Sequence, residues 1–478
     1  MDTVSQLKAD VITVNKVAAQ NDETRYDHDD EKYHDEKHVD EEGAAAAPAG
    51  PPSEGVNDSA SIVRKLTSKQ ELIVFSACCI SLFQAGWNDA SSGPLLPSLQ
   101  ARYEIRYLVM SIIFPVQCAG FITGALSNVW LTDRFGLGWV VLIGGGFQTL
   151  SFALNCWLPP YPLFVVAMFF NGVGTSLQDA QANSLTNRFR RPDVKMALIH
   201  AAYGLGATCS PFVSTLFVEH YPQRFYFYFL VSLALTIVNN VWCVLVYRFR
   251  TADQVLGPEP PEQVQNASGE YEEMAEQSSG DKMKRIMKLK PTWAIACHLL
   301  AYVGLEVTIA SLQVSYLREV RGGGVDSGYV ATGFWGGLTV GRVIFVPLNR
   351  KIGEGLAGYF YLSCAVGLHF VVWFVPSVVG NAVAVSIIGV LLGPIYPIVM
   401  NACAKIFPVG IVTGAIGFVA SFGAAGGAIF PFATGALADR FSIKVMQPCI
   451  LALMLVCVIT WFPIDFSMRE AARAKLNR

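Results

Sequence analysis

Hydrophobic residues make up 53% of the 478-residue chain and charged residues only 15%, with a formal net charge of −2 and a mean hydropathy of +0.41. A soluble domain carries roughly 25% charge, so this composition excludes an ordinary water-soluble globule and turns much of the surface toward lipid. The near-neutral balance also argues against a nucleic-acid partner, which would want a basic face.

The first sixty residues are polar and acidic, with a run from Asp22 to Glu42 followed by an Ala/Pro/Gly stretch. Such a segment cannot bury enough apolar area to offset its ordering entropy, so residues 1–70 are predicted to be a disordered acidic tail, and no secretory signal peptide is visible. Twelve segments then reach the roughly 20 apolar residues that a spanning helix needs. They are 71–97, 107–130, 138–156, 161–186, 194–217, 225–247, 291–317, 326–349, 355–375, 379–404, 411–437 and 444–465. The cysteines lie mostly singly inside these runs, without a CxxC pair, and read as small buried hydrophobes.

Lys and Arg concentrate after spans 4, 6, 8 and 12, at Arg188, Arg190, Arg191, Lys195, Arg248, Arg250, Lys282–Lys290, Arg350, Lys351 and Arg469–Arg478. The positive-inside rule makes these loops and both termini cytoplasmic, against weaker outside positives at Arg102, Arg106, Arg318 and Arg321. The polar stretch 248–290 divides the spans into an N-terminal bundle, 71–247, and a C-terminal bundle, 291–465, followed by a cytoplasmic tail, 466–478. The sequons at Asn57 and Asn266 fall on the cytoplasmic side and are expected to stay unmodified.

The halves echo each other. Val129, Asn183 and Pro211 find counterparts in Val346, Asn401 and Pro431, in order and at a nearly constant separation, as a duplicated six-helix unit requires. Leu131, Asp133, Arg134 and Gly136 after span 2 resemble the loop motif GxLxDRxG of the major facilitator superfamily, with Val129 in place of its leading Gly; Arg350 stands in the second copy where the family prefers Asp. The resemblance implies an all-α membrane protein of twelve helices in two pseudo-symmetric bundles, and a cytoplasmic charge relay at Asp133 and Arg134, extended to Arg342 and Arg350. Asn88-Asp89 before Pro94-Leu95-Leu96-Pro97, the segment around Tyr302 and Glu306, and Gly333-Phe334-Trp335-Gly336 through Arg342 resemble the fungal branch of the fucose–proton symporter family.

A charged side chain at the bilayer centre costs about 2.5–3.5 kcal/mol on insertion scales, so each intramembrane acid is a functional candidate. Three occur, Asp89, Asp179 and Glu306. Span 4 carries Asn171, Thr175, Gln178, Asp179, Gln181, Asn183 and Thr186 at helical spacing, which makes one side polar and turns it toward a cavity. The resemblance places a proton-titrating Glu where Asp179 stands, and assigns substrate binding and protonation to the Asn88-Asp89 pair. Glu306 occupies the repeat-related position of Asp89 and is placed to pair with Arg342. His200, Tyr203, Gln117 and Asn401 are further polar candidates, and Trp87, Trp335 and Tyr396 are placed to stack on the apolar face of a sugar. Each has a structural counterpart reading: interhelical hydrogen bonding for the polar residues, packing for the aromatics, and snorkelling for Arg342.

No hydrolase, kinase, dinucleotide or metal signature accompanies these residues, and no cofactor is expected. The predicted function is secondary transport of a small polar solute, sugar-like by resemblance, coupled to protons, by a monomer in the plasma membrane. Two readings stay open at this level: an exporter with opposite flux, and a non-transporting sensor that signals through its tail and central loop.

Overall fold

The computed structural model describes residues 67–257, 263–265, 271–273 and 279–476. The acidic run, both sequons and the remainder of the predicted N-terminal tail through residue 66 lie outside the described residues.

The helices run in chain order as α1 (Ser68–Ala90), α2 (Ser92–Tyr103), α3 (Tyr107–Met110), α4 (Ile113–Phe135), α5 (Leu137–Asn155), α6 (Tyr161–Asn187), α7 (Pro192–His220) and α8 (Tyr228–Tyr247). After the short α9 (Ala252–Leu256), a small antiparallel hairpin pairs β1 (Gln263–Gln265) with β2 (Tyr271–Glu273). Then follow α10 (Ser279–Lys288), α11 (Lys290–Val320), α12 (Tyr329–Ile344), α13 (Val346–Ile352), α14 (Glu354–Phe374), α15 (Val378–Leu392), α16 (Ile395–Ile406), α17 (Val409–Arg440) and α18 (Met446–Leu476).

Ten of these segments are long and apolar enough to cross a membrane, and α12 with α13 forms an eleventh, bent by 52° at Phe345. The twelfth span is α6, 27 residues long. Its polar side chains hold down its hydropathy, and most are buried inside the bundle rather than facing lipid. The spans therefore agree with those predicted, with altered ends. Thr67 caps α1 by accepting from the Gln70 amide, so the first span begins at Ser68 rather than 71. It breaks at Ser91, ahead of Pro94, and resumes as α2. The last span continues past 465, so that 466–476 is helix rather than tail, with Arg469 bonded to Asp465 at 2.8 Å.

Packing repeats between the halves. In the first half, α1 meets α7 where Gly86 faces the Tyr203 carbonyl and Gly206 the Phe83 carbonyl; α4 meets α6 where Gly120 faces Phe169 and Gly172 faces Gln117. In the second half, α11 meets α17 at Gly426 under Leu300, and α12 meets α15 at Gly341 under Val390 and Gly389 under Phe334. In each case a Cβ would run into the facing carbonyl. Lipid is as apolar as leucine, so helices in a bilayer associate through such close backbone approach. The same helix pairs using the same device in both halves make the two six-helix bundles pseudo-symmetric.

The Lys/Arg-rich loops gather at one end, called here the basic end. Some of their cations are tied in: Lys195 and Arg190 hold Glu71 at the start of α1, and Arg188 bonds Asp253 at 2.7 Å and the Gly257 carbonyl at 2.6 Å. At the opposite end, the positives that weakened the charge asymmetry have structural work. Arg321 donates to the Val372 and Trp373 carbonyls at 3.0 and 2.6 Å, and Arg106 pairs with Asp439 at 3.6 Å.

Candidate solute site between the halves

Among the described residues, every side-chain hydrogen bond or ion pair joining the halves lies at mid-depth or beyond it, away from the basic end. Tyr107 donates to Glu319, Tyr329 donates to Glu219 at 2.9 Å, Arg106 pairs with Asp439, and Ser92 meets Ser311 at 3.1 Å. The innermost close approach of α7 to α12 is Gly204 against Thr339. One end is thus sealed, and a cleft opens from mid-depth toward the basic end.

The deepest polar groups gather at the head of that cleft. The break at Ser91 ends α1 just after Asp89, leaving its carboxylate exposed although it sits mid-span. Tyr203 of α7 donates to it at 2.9 Å. Asp89 lies within electrostatic reach of Asp179 on α6 and of Glu306 on α11. Tyr396 of α16, half-buried in the second half, lies within electrostatic reach of Asp179, Glu306 and Arg342. His200, one turn from Tyr203, is exposed and within reach of Arg342. Because these groups face one another across the two halves, their exposure is to the cleft and not to lipid. Asn183, one turn below Asp179, donates to its Oδ1 at 3.1 Å, as predicted for a shared helix face.

Glu306 and Arg342 do meet, at 3.9 Å, with side chains 9% and 19% exposed. That is a long contact for an ion pair; Arg342 Nε finds no partner among the described residues, and Tyr302 beside the pair donates to the Leu392 carbonyl. Arg342 therefore belongs to the central cluster rather than to a loop relay. Asp133, Arg134 and Arg350 are exposed at the basic end, and among the described residues none of them forms an ion pair.

Other predicted site residues point elsewhere. Trp87 is 4% exposed, stacks on Tyr228 at 5.7 Å and donates to Ser232 at 2.9 Å, so its ring serves packing and offers no face to a solute. Asn88 accepts from Gln84 and donates to Asn171, tying α1 to α6. Gln178 turns into the first half, donating to the Val141 carbonyl and accepting from Asn239; Gln181 reaches Asn128 and Thr132 of α4. Trp335 is 3% exposed inside the second half. Asn401 bonds Glu354 at 3.1 Å near the basic end, beside Lys405, well removed from the cleft head. Sequence reasoning also missed the seal of Tyr107, Glu319, Tyr329 and Glu219. Its only trace was the presence of acids at span ends opposite the basic loops.

Two helical bundles that close on a polar mid-depth cleft, sealed at one end and open at the other, define a membrane carrier. The chain belongs to the Major Facilitator Superfamily, whose family model matches residues 78–431; it is a member of a transporter family and not an enzyme. It is 25% identical over 417 residues to "Bypass of stop codon protein 6" of Saccharomyces cerevisiae, covering 80% of this chain and 81% of the relative. It is 23% identical over 403 residues to the "Glucose/galactose transporter" of Brucella abortus, covering 79% and 91%. Among solved structures, a bacterial homolog of the human lysosomal transporter Spinster, inward-facing and unoccupied, has a TM-score of 0.65 at 9% identity, covering 85% of this chain and 99% of that one. The E. coli fucose:proton symporter FucP has a TM-score of 0.57 at 16% identity, covering 83% and 99%. At these identities the structures establish the fold alone.

Proposed function

We propose that the chain is a secondary active transporter that couples proton movement to a small polar, sugar-like solute by alternating access. The observation that carries this reading is the Asp89–Tyr203 pair, exposed at the head of the cleft and within electrostatic reach of Asp179 and Glu306. Carboxylates that face water in one state and are desolvated when the cleft closes change their proton affinity with the cycle, which is the requirement for coupling. Carboxylates and phenols are also the groups that hydrogen-bond polyol hydroxyls. The names of the Brucella relative and of the fucose:proton symporter support the sugar and the proton respectively.

In this reading Asp89, Asp179 and Glu306 handle the proton. Tyr203, His200, Asn183 and Tyr396 contact the solute. Asn88, Gln178 and Gln181 position α1 and α6. The basic end, with both termini, faces the cytoplasm of a plasma-membrane monomer. The test is uptake in proteoliposomes under an imposed pH gradient. Asp179→Asn should abolish uphill accumulation while sparing solute exchange; full uphill uptake by that variant removes Asp179 from the coupling step.

A further inference from the structure

The helix α10 is strongly amphipathic and lies at the basic end. Its Ile286 side chain is 1% exposed and packs near Gly414 at the start of α17. The Thr292 hydroxyl donates to the Ile286 carbonyl at 2.7 Å, and the Trp293 indole donates to the Met287 carbonyl at 2.9 Å. These bonds dock α10 on the mouth of α11, from which Leu289 alone separates it. Opposite Ile286, Lys284, Arg285 and Lys288 stand on one exposed face. Lys284 is 73% exposed, and its 3.6 Å pairing with Asp281, itself 70% exposed, is a solvated contact. Beside that face lie two apolar groups turned outward, Met287 at 40% and Trp293 at 45% exposure.

A cationic face with an apolar lip, fixed at the depth where a span leaves the bilayer, fits an anionic lipid surface in both charge and polarity. Trp at that depth sits among headgroups. We propose that α10 binds the headgroups of anionic phospholipids in the leaflet at the basic end, through Lys284, Arg285 and Lys288, with Met287 and Trp293 against the acyl boundary. Because α10 touches both α11 and α17, bound lipid would hold the mouths of the two spans together.

Each basic residue near an anionic surface contributes roughly five-fold to affinity, so removing three should weaken binding about a hundred-fold. The experiment uses the purified full chain in detergent micelles doped with phosphatidylglycerol or phosphatidylcholine, read by native mass spectrometry and thermal unfolding. Phosphatidylglycerol should give more retained lipid and a higher Tm than phosphatidylcholine, and added salt should reduce both effects. Lys284→Gln/Arg285→Gln/Lys288→Gln, at exposed positions, should keep the Tm in phosphatidylcholine and lose the phosphatidylglycerol response. Trp293→Ala, with the charges intact, should retain part of it. An unchanged response in the triple variant, equal responses to both lipids, or the same stabilisation by inorganic phosphate would overturn the proposal.

Discussion

Arg342, half-buried, lies beside the buried Glu306. Its contact with Glu306 is long, and its Nε is unpartnered. Removing one member of a buried ion pair strands the other, which typically costs 3–5 kcal/mol, whereas replacing both is far milder. Arg342→Gln should therefore lower the thermal stability of the purified protein sharply, and Glu306→Gln/Arg342→Gln should recover most of the loss. If the double variant is no more stable than the single, the two side chains do not act as a pair. At this scale the acids were legible in the sequence because charge inside an apolar run stands out. The amides were not. Gln178 and Asn183 sit five residues apart on one helix, yet Asn183 serves Asp179 at the cleft while Gln178 bonds Asn239 inside the first half. A donor's residue type does not say which neighbour it will find.

Between elements, glycine decides how close the helices come. Gly426 lies under the Leu300 carbonyl where α17 crosses α11, and Gly206 lies under Phe83 where α7 crosses α1. Gly426→Val places new carbons against backbone that cannot yield as a side chain tip would. Overpacking of this kind costs about 1–3 kcal/mol; thermal unfolding should show the corresponding fall in Tm, and Gly417→Ala, with open space at its Cβ position, should not. Small residues in an apolar helix mark close helix contacts in general, but do not say which helix each one meets. The break at Ser91 was likewise half-legible: Pro94 marks a kink, and only the structure shows that the kink frees the Asp89 carboxylate for Tyr203.

Across the whole molecule, the seal opposite the basic end sets which way the cleft opens. Tyr107–Glu319, Tyr329–Glu219 and Arg106–Asp439 join the halves there. Weakening a contact made in only one state shifts the population toward the other. In a cysteine-depleted background, Ser311→Cys should resist a membrane-impermeant thiol reagent applied from the sealed side. Adding Tyr107→Phe and Glu319→Ala should make it reactive; continued protection would show that these contacts do not hold the seal. The sequence by itself determined the twelve spans, their division into two related halves and the charge asymmetry of the loops. In a bilayer every backbone group must be satisfied within its own helix, so hydropathy alone nearly fixes the elements. Tertiary structure decided the rest: which polar side chains face the cleft, which glycines meet which carbonyls, and which end is shut. Those depend on contacts between residues far apart in the chain, and local pattern carries no record of them.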